Sequence, residues 1–253
     1  MIFEGVFVEH RSALITGASR GIGLGIASRL AAQGYGLTIA ARDAERLERT
    51  AADLRQLGAS VVVAQAGDIS DEAHLEQLVA SHAAQFGVMD ALILNAGVGS
   101  AGELAGFHPK RFDKQIAINL RAPFVLMQQA LPLLRKALEQ NPIRGAKILA
   151  IASITGVYAE AELSVYGATK AALMSLVRSV NVEETGRGVT ATAFAPAYVD
   201  TDMAAFKHDV LAPEDMIPVS DIVELADACL RLSARTVVPE IVISRASGTG
   251  YSA

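Results

Sequence analysis

A tyrosine and a lysine stand four residues apart in the middle of the chain, in the sequence Tyr166-Gly-Ala-Thr-Lys170. They lie at the head of a segment whose pattern predicts a helix over residues 168–182, and positions i and i+4 share one helix face. The phenol has an ordinary pKa of about 10, and a neighbouring cation lowers it by stabilising the phenolate. The pair therefore indicates a general acid or base, although a solvated lysine beside a half-buried tyrosine has the same spacing.

A glycine-rich turn follows the first predicted strand and opens the first predicted helix, in the sequence Thr16-Gly-Ala-Ser-Arg-Gly-Ile-Gly23. Its spacing is G-x3-G-x-G. Glycines let a backbone approach a pyrophosphate, and a helix N-terminus favours the negative charge. The turn therefore predicts a dinucleotide site whose binding residues include Gly17, Ser19, Arg20, Gly21, Ile22 and Gly23.

The end of the second predicted strand favours NADP(H) over NAD(H). An acidic residue at this point binds the ribose hydroxyls of NAD, whereas an arginine accommodates the additional phosphate of NADP. The strand closes on alanine followed by Arg42, and Arg20 adds a second guanidinium from the glycine turn. Asp43 is an alternative ribose ligand, but its position predicts an N-cap for the following helix.

Short aliphatic runs alternate with helical patterns along the whole chain, which predicts an α/β fold. The predicted strands are residues 12–16, 37–41, 61–64, 91–94, 147–152, 190–195 and 239–243. The predicted helices are residues 22–33, 44–57, 72–86, 111–139, 168–182 and 221–233. We expect a doubly wound parallel sheet of about seven strands, a Rossmann fold, with helices on both faces and a single domain over residues 1–253.

Two segments depart from this alternation. The long helical pattern of residues 111–139 contains Pro123, which cannot donate to the carbonyl of Asn119 four residues earlier. Residues 198–219 connect the sixth strand to the last helix beyond a strand's carboxyl end, where open α/β sheets bind ligands. We interpret residues 198–219 as a lid, whose apolar residues suit either a greasy substrate or packing against the sheet.

Composition excludes several classes of protein. Over 253 residues, 51% are hydrophobic and the net charge is −5, which disfavours a nucleic-acid surface. No uncharged run approaches the about 18 residues of a membrane span, and Glu4 and Glu9 are untypical of a signal peptide. The single cysteine, Cys229, is expected in the core, no metal site is predicted, and the five histidines are expected at the surface. A cytoplasmic location is expected.

Together, the ordered motifs resemble the short-chain dehydrogenase/reductase family over nearly the whole chain. The matching positions are the turn Thr16 to Gly23, Asp68 with Ile69, Asn95-Ala96-Gly97, Asn119, Ser153, Tyr166 with Lys170, and the segment Pro196 to Thr201. There are departures. Leu94 precedes Asn95 where the family often has asparagine, Ala197 replaces a frequent glycine, and the tail from Ile243 to Gly248 is atypical.

The resemblance implies roles for these residues. Ser153, Tyr166, Lys170 and Asn119 are the expected catalytic residues, Asn119 acting through its main-chain carbonyl in a water-linked proton relay. Asp68 and Ile69 are expected at the adenine. Further cofactor contacts are expected from Asn95, Ala96, Gly97, Pro196, Val199 and Thr201, besides Tyr166 and Lys170. Asp68 and Asn95 are also ordinary turn residues, and Ser153 could simply end a strand.

The sequence thus predicts an NADP(H)-dependent oxidoreductase that acts on a small carbonyl compound or secondary alcohol, with Tyr166 as acid or base. A 3-oxoacyl thioester reductase is the alternative within this class. A catalytically silent NADP(H)-binding sensor or scaffold is the alternative of another class. Family members pair through the helices predicted at residues 111–139 and 168–182, so a homodimer or homotetramer is expected, with no nucleic-acid or membrane partner.

Overall fold

The computed structural model of the protein describes residues 11–246. Our expectations for Glu4, Glu9, His10 and Gly248 therefore lie outside the described residues.

A seven-stranded parallel sheet forms the centre of the molecule, in the order β3-β2-β1-β4-β5-β6-β7. Its strands are β1 (Ser12–Thr16), β2 (Gly36–Ala41), β3 (Val62–Ala66), β4 (Ala91–Leu94), β5 (Ala146–Ile151), β6 (Val189–Pro196) and β7 (Glu240–Ile243). The chain winds outward from β1 to β3 and then returns to place β4 on the other side of β1. This confirms the predicted doubly wound sheet, and its switch point lies between β1 and β4.

Helices cover both faces of the sheet. They are α1 (Gly21–Ala32), α2 (Ala44–Leu57), α3 (Glu72–Phe86), α4 (Pro109–Ile116), α5 (Ala122–Gln140), α6 (Ser164–Glu184) and α7 (Val219–Arg231). Alternate residues of β1 point to opposite faces: Ile15 packs in one core with α1, α2 and α7, and Leu14 packs in the other with α3, α5 and α6. Because both faces of the inner strands are buried, those strands are largely aliphatic.

The helical segment predicted over residues 111–139 is divided into two helices near Pro123, the proline that was expected to leave the Asn119 carbonyl unpaired. Between α4 and α5 lies a π-helical turn, Ala117–Arg121, in which the Ala122 N–H donates to the carbonyl of Ala117, five residues back. Pro123 explains the wider turn, because it has no N–H to donate to the carbonyl of Asn119.

Helix α6 begins at Ser164, four residues before the predicted start. Tyr166 and Lys170 therefore both lie inside the helix, and the i, i+4 relation applies to them directly. Strand β6 extends through Pro196, so the first residue of the predicted cofactor-contacting segment Pro196 to Thr201 still belongs to the sheet.

Residues 198–219 form a loop whose two ends are joined. Val199 and Ile217 make an isolated parallel bridge, with the Ile217 N–H donating to the Tyr198 carbonyl at 2.9 Å. The apolar residues of the loop divide between two environments: Met216 is buried against the protein, whereas the Phe206 side chain is 60% exposed.

Cys229 is buried, as predicted. Within residues 11–246, no helix is both long and apolar enough to cross a membrane, and no group of three potential metal ligands is found in that same range.

The surface placement expected for the histidines was wrong for His74 and His82, which are both buried. The Nε2 of His82 donates to the Val88 carbonyl at 3.0 Å, and its Nδ1 lies 2.9 Å from the Thr38 hydroxyl. These partners suit a neutral imidazole. Burial lowers the pKa of His82 to about 4.

Burial of neutral His82 is expected to lower the free energy of unfolding in mild acid. Because burial lowers the pKa of His82 from its usual 6.5 to about 4 in the folded protein, the stability that depends on neutral His82 is complete above pH 6.5 and is lost as the pH falls toward 4. Urea unfolding at pH 7 and pH 5 should show that His82→Gln reduces the acid-induced loss of unfolding free energy by about 2 kcal/mol. The exposed residue His208 provides the control, since His208→Gln should leave the loss unchanged. An equal loss in wild type and His82→Gln would contradict a neutral His82.

Candidate active site

Lys170 and Tyr166 lie side by side on α6 next to the end of β5, with Lys170 buried and Tyr166 partly buried. The Lys170 ammonium is 5.6 Å from the centre of the Tyr166 ring. Its Nζ donates to the Ile151 carbonyl at 2.7 Å, and only 3% of the residue is exposed. The helix spacing predicted from sequence therefore brings the two residues together, and the lysine is fixed by the strand.

The pKa of Tyr166 differs from the sequence-based expectation. Burial raises it to about 12, and the hydrogen bond with Ser153 opposes this rise only in part. Burial also lowers the pKa of Lys170 to about 8. We expected Lys170 to lower the pKa of Tyr166, and this was wrong for the present structure because desolvation of the phenolate dominates. At neutral pH the phenol is a proton donor.

Ser153 follows β5 and caps a short 3₁₀ turn. Its Oγ accepts hydrogen bonds from the amide and hydroxyl of Thr155, at 3.2 and 2.9 Å. Helix α6 packs closely on this turn, because a Cβ at Gly167 would stand 2.6 Å from the Thr155 carbonyl oxygen. Glycine at position 167 thus lets Tyr166 approach Ser153.

Asn119 lies in the π-helical turn and is 1% exposed. Its side chain accepts from the Val98 amide at 2.9 Å and donates to the Val98 carbonyl at 2.8 Å. A third bond, 3.1 Å long, reaches the hydroxyl of Thr169 on α6. Asn119 therefore ties the loop after β4 to the helix that carries Tyr166.

The glycine-rich turn is held at the switch point by the ends of β1 and β4. The Asn95 amide group donates to the carbonyls of Thr16 and Gly17 at 3.1 and 2.9 Å. The Thr16 hydroxyl accepts from the backbone amides of Asn95 and Ala96, both at 3.1 Å. A Cβ at Gly23 would lie 2.3 Å from the Gly17 carbonyl oxygen, so the turn requires glycine there.

The N-terminus of α1 has no side-chain cap. Arg20 precedes the helix, and its exposed guanidinium pairs with Asp202 of the 198–219 loop at 2.8 Å. One of the two predicted phosphate ligands therefore has a carboxylate partner on the opposite side of the cleft.

The other predicted ligand, Arg42, is exposed at the end of β2. Asp43 caps α2 by accepting from the Arg46 amide at 3.0 Å, which confirms its predicted capping role. The Asp68 carboxylate accepts from the amide and hydroxyl of Ser70, chiefly the amide, and these bonds lower its pKa. Asp68 therefore stabilises the turn after β3.

Two cavities meet at Tyr166. The first has a volume of about 410 Å³ and is lined by most of the predicted cofactor residues: Gly17, Ser19, Arg20, Gly21, Ile22, Arg42, Asp68, Ile69, Asn95, Ala96, Gly97, Tyr166, Lys170 and Thr201. Gly23 lies beneath the glycine turn and Asn119 behind the loop, so neither lines it. Arg46, Gly67 and His74 line it without having been predicted.

The second cavity, of about 460 Å³, contains Ser153 and shares Tyr166 with the first. Pro196 and Val199 line this cavity and not the first one. Among the residues of this cavity that sequence reasoning missed are Ser100, Thr155, Glu160 and Leu163.

A polar cluster closes part of the second cavity. The Tyr198 hydroxyl donates to Glu160 Oε1 at 2.8 Å, and the Lys207 ammonium lies 3.5 Å from the same oxygen. Burial, followed by the bond to Glu160, raises the pKa of Tyr198 and keeps it protonated. Otherwise the cavity walls are mainly apolar and include Met203 and Phe206 of the 198–219 loop.

Comparison with known proteins agrees with this geometry. The family model of the short chain dehydrogenases matches residues 11–210. The chain is 31% identical to 2-(R)-hydroxypropyl-CoM dehydrogenase of Xanthobacter autotrophicus, covering 88% of this chain and 91% of that protein. It is 33% identical to D-beta-hydroxybutyrate dehydrogenase of Cupriavidus necator, with coverages of 84% and 80%. For a 3-oxoacyl-[acyl-carrier-protein] reductase of Staphylococcus aureus, the identity is 32% and both coverages are 79%.

Solved structures show the same fold. An alcohol dehydrogenase from Thermococcus sibiricus, complexed with 5-hydroxy-NADP, superposes with a TM-score of 0.83 at 27% identity, covering 96% of this chain and 98% of that one. A 3-ketoacyl-(acyl-carrier-protein) reductase from Brucella melitensis, complexed with NADH, has a TM-score of 0.80 at 25% identity, with coverages of 92% and 96%.

The pKa of Tyr166 can be tested by ultraviolet titration of purified protein without added nucleotide. The difference in phenolate absorbance between wild type and Tyr166→Phe isolates this tyrosine. Because burial raises its pKa to about 12, no component of the difference should titrate below about pH 10. A component with a midpoint below about pH 9 would mean that the Lys170 charge outweighs burial.

Proposed function

The chain belongs to the short-chain dehydrogenase family, and we propose that it is an NADP(H)-dependent oxidoreductase that moves hydride between nicotinamide and a carbonyl compound or secondary alcohol. The observation that carries the proposal is the position of Tyr166, which borders both cavities and lines the second together with Ser153. A proton donor at this junction is within reach of a reacting oxygen in the second cavity and a cofactor in the first.

The residues of the first cavity fit a dinucleotide. The uncapped N-terminus of α1 and the glycine turn expose backbone amides, which suit a pyrophosphate. Glycine at position 23 allows the turn to pack closely below the cavity, since a Cβ there would collide with the Gly17 carbonyl. When bound here, the nicotinamide cofactor supplies hydride in the reduction and accepts it in the oxidation.

Tyr166 is the general acid in the proposed reduction. Its raised pKa keeps the proton on the phenol at neutral pH, ready for transfer to the oxygen that gains negative charge. Ser153 donates a second hydrogen bond to the same oxygen, so two fixed donors meet the developing charge. In the oxidation, the phenolate form of Tyr166, which the Lys170 ammonium favours, accepts the alcohol proton.

Two further residues support Tyr166: Lys170 through its charge and Asn119 through its hydrogen bonds. The ammonium of Lys170 lines the first cavity and favours the phenolate form once the proton has moved. Asn119 holds the loop after β4 through Val98. Pro123 cannot donate to the Asn119 carbonyl, which supports the family's proton relay through that carbonyl.

We favour NADP(H) because of the charges near β2. Arg42 and Arg46 both line the first cavity, and Arg20 faces them from the glycine turn. An acidic ribose ligand in place of Arg42 would favour NAD, but the neighbouring Asp43 is committed to capping α2. Relatives crystallised with an NADP derivative and with NADH both occur, so the argument rests on these residues of the chain.

The substrate of the proposed reaction is a small carbonyl compound or alcohol that fits an apolar cavity of about 460 Å³. Residues 198–219 act as its lid, with Met203 and Phe206 on the cavity side. The same exposed apolar residues suit an acyl chain, which keeps a 3-oxoacyl thioester reductase as the second candidate.

We also propose a homodimer or homotetramer. The exposed side chains of Phe112 on α4, Phe124 on α5 and Val182 on α6 leave apolar surface on the helices through which family members pair. Native mass spectrometry that found only monomer at micromolar concentration would contradict this.

The role of Tyr166 as general acid predicts the effect of removing its phenol oxygen. Tyr166→Phe should lower turnover by about 10²–10⁴-fold, because proton donation is lost. The affinity for NADPH should change little, since the ring remains in place. NADPH oxidation measured over ketones, diketones and 3-oxoacyl thioesters provides the test. Unchanged turnover in the variant would remove Tyr166 from the mechanism, and binding of NADPH without turnover of any compound would favour a sensor or scaffold.

Cofactor preference predicts a selective effect at Arg42. Arg42→Ala should weaken NADPH binding by about 10- to 100-fold, the magnitude of a lost charge-assisted phosphate contact, and leave NADH binding nearly unchanged. Fluorescence titration of both nucleotides measures this. Arg49→Ala is the matched control, because Arg49 lies on α2, the helix that follows Arg42, pairs with Glu45 and is absent from the cavity lining. Equal weakening of both nucleotides would contradict phosphate recognition by Arg42.

A further inference from the structure

The oxygen of Ser153 has two hydrogen-bond donors, and both come from the same residue. The Thr155 amide lies 3.2 Å from Ser153 Oγ, and the Thr155 hydroxyl lies 2.9 Å from it. The two bonds form within the short 3₁₀ turn that Ser153 caps. Thr155 is 7% exposed and also lines the second cavity.

These two bonds determine where the hydrogen of Ser153 points. A hydroxyl oxygen has two acceptor sites and carries one hydrogen. When Thr155 occupies both acceptor sites, Ser153 can act towards its remaining neighbours only as a donor. The phenol of Tyr166 lines the same cavity as Ser153, and its interaction with Ser153 opposes the rise in the pKa of Tyr166. The substrate oxygen of the proposed mechanism lies in this same cavity.

We propose that Thr155 is a positioning residue for the reaction, whose amide and hydroxyl hold Ser153 as a hydrogen-bond donor to the reacting oxygen. The proposal rests on the proposed function, since it assigns Thr155 a role in the same site. Without the threonine hydroxyl, the serine hydroxyl is free to rotate and to accept a hydrogen bond, and its dipole is no longer fixed on the developing charge.

The threonine is itself held in place by α6. The Thr155 carbonyl oxygen lies against Gly167, where a Cβ would stand only 2.6 Å away. The next residue, Gly156, is equally close to α6, since a Cβ there would lie 2.8 Å from the Ala171 amide nitrogen. This packing fixes the 3₁₀ turn against the helix that carries Tyr166. Thr155, Ser153 and Tyr166 are therefore held in a fixed arrangement.

Three substitutions separate the hydroxyl of Thr155 from its bulk. Thr155→Val keeps the shape and removes the hydroxyl, Thr155→Ser keeps the hydroxyl and removes the methyl group, and Thr155→Ala removes both. Thr50→Val is the matched control, because Thr50 is similarly buried and its hydroxyl also donates a local hydrogen bond, but on α2 away from the cavities. The measurements are kcat and KM for the best ketone and the Kd for NADPH.

Thr155→Val should lower kcat by about tenfold, the effect of one hydrogen bond that matters in the transition state, while KM for the ketone and Kd for NADPH stay near the wild-type values. Thr155→Ser should retain kcat within about threefold, and Thr50→Val should not change it. If Thr155→Val does not fold, the Ser and Ala variants carry the test, since they differ only in the hydroxyl.

Two results would overturn the proposal. One is a kcat for Thr155→Val within about twofold of wild type. The other is an equal loss in Thr155→Ser and Thr155→Ala, which would assign the effect to the methyl group. In both cases wild-type turnover leaves the proposed function standing. A wild-type protein that binds NADPH but reduces no carbonyl compound would instead contradict the proposed function, and the role of Thr155 with it.

Discussion

The hydrogen bond from Lys170 Nζ to the Ile151 carbonyl is the contact on which the active-site arrangement depends. It joins α6, which carries Tyr166, to β5, after which Ser153 follows. A buried ammonium is costly to leave without a partner, so this contact fixes the helix against the strand. The Tyr166 phenol is thereby held at the Ser153 hydroxyl. The close approach also requires glycine at position 167, because α6 lies against the Thr155 carbonyl.

The sheet topology brings the remaining parts to the same edge. The strand order reverses between β1 and β4, so the glycine turn after β1 faces the loop after β4. Asn95 and Thr16 connect the two through backbone and side-chain hydrogen bonds, and Asn119 extends the connection to α6. Cofactor residues and proton-transfer residues therefore belong to one hydrogen-bonded framework that begins at the switch point.

The elements with local signals were the ones that sequence could predict. Aliphatic strands, the glycine turn, the Asp43 cap and the i, i+4 pair of Tyr166 and Lys170 all follow from spacing, and the structure contains them. The raised pKa of Tyr166 did not follow, because it depends on how much of the phenol the fold buries. Burial of His82 was missed for the same reason. The missing N–H of Pro123 predicts a break in helical hydrogen bonding at Asn119. The form of that break, a widened π-helical turn, depends on the packing around it and does not follow from the sequence.

Hydride transfer is the central claim, and isotope transfer tests it most directly. The protein would be incubated with NADPH that carries deuterium at the transferring position of the nicotinamide, together with ketones, diketones and 3-oxoacyl thioesters. Mass spectrometry of the products should find an alcohol with one deuterium on the carbinol carbon. If NADPH binds and no compound gains deuterium, the account is contradicted, and the site is one that binds the cofactor without using it.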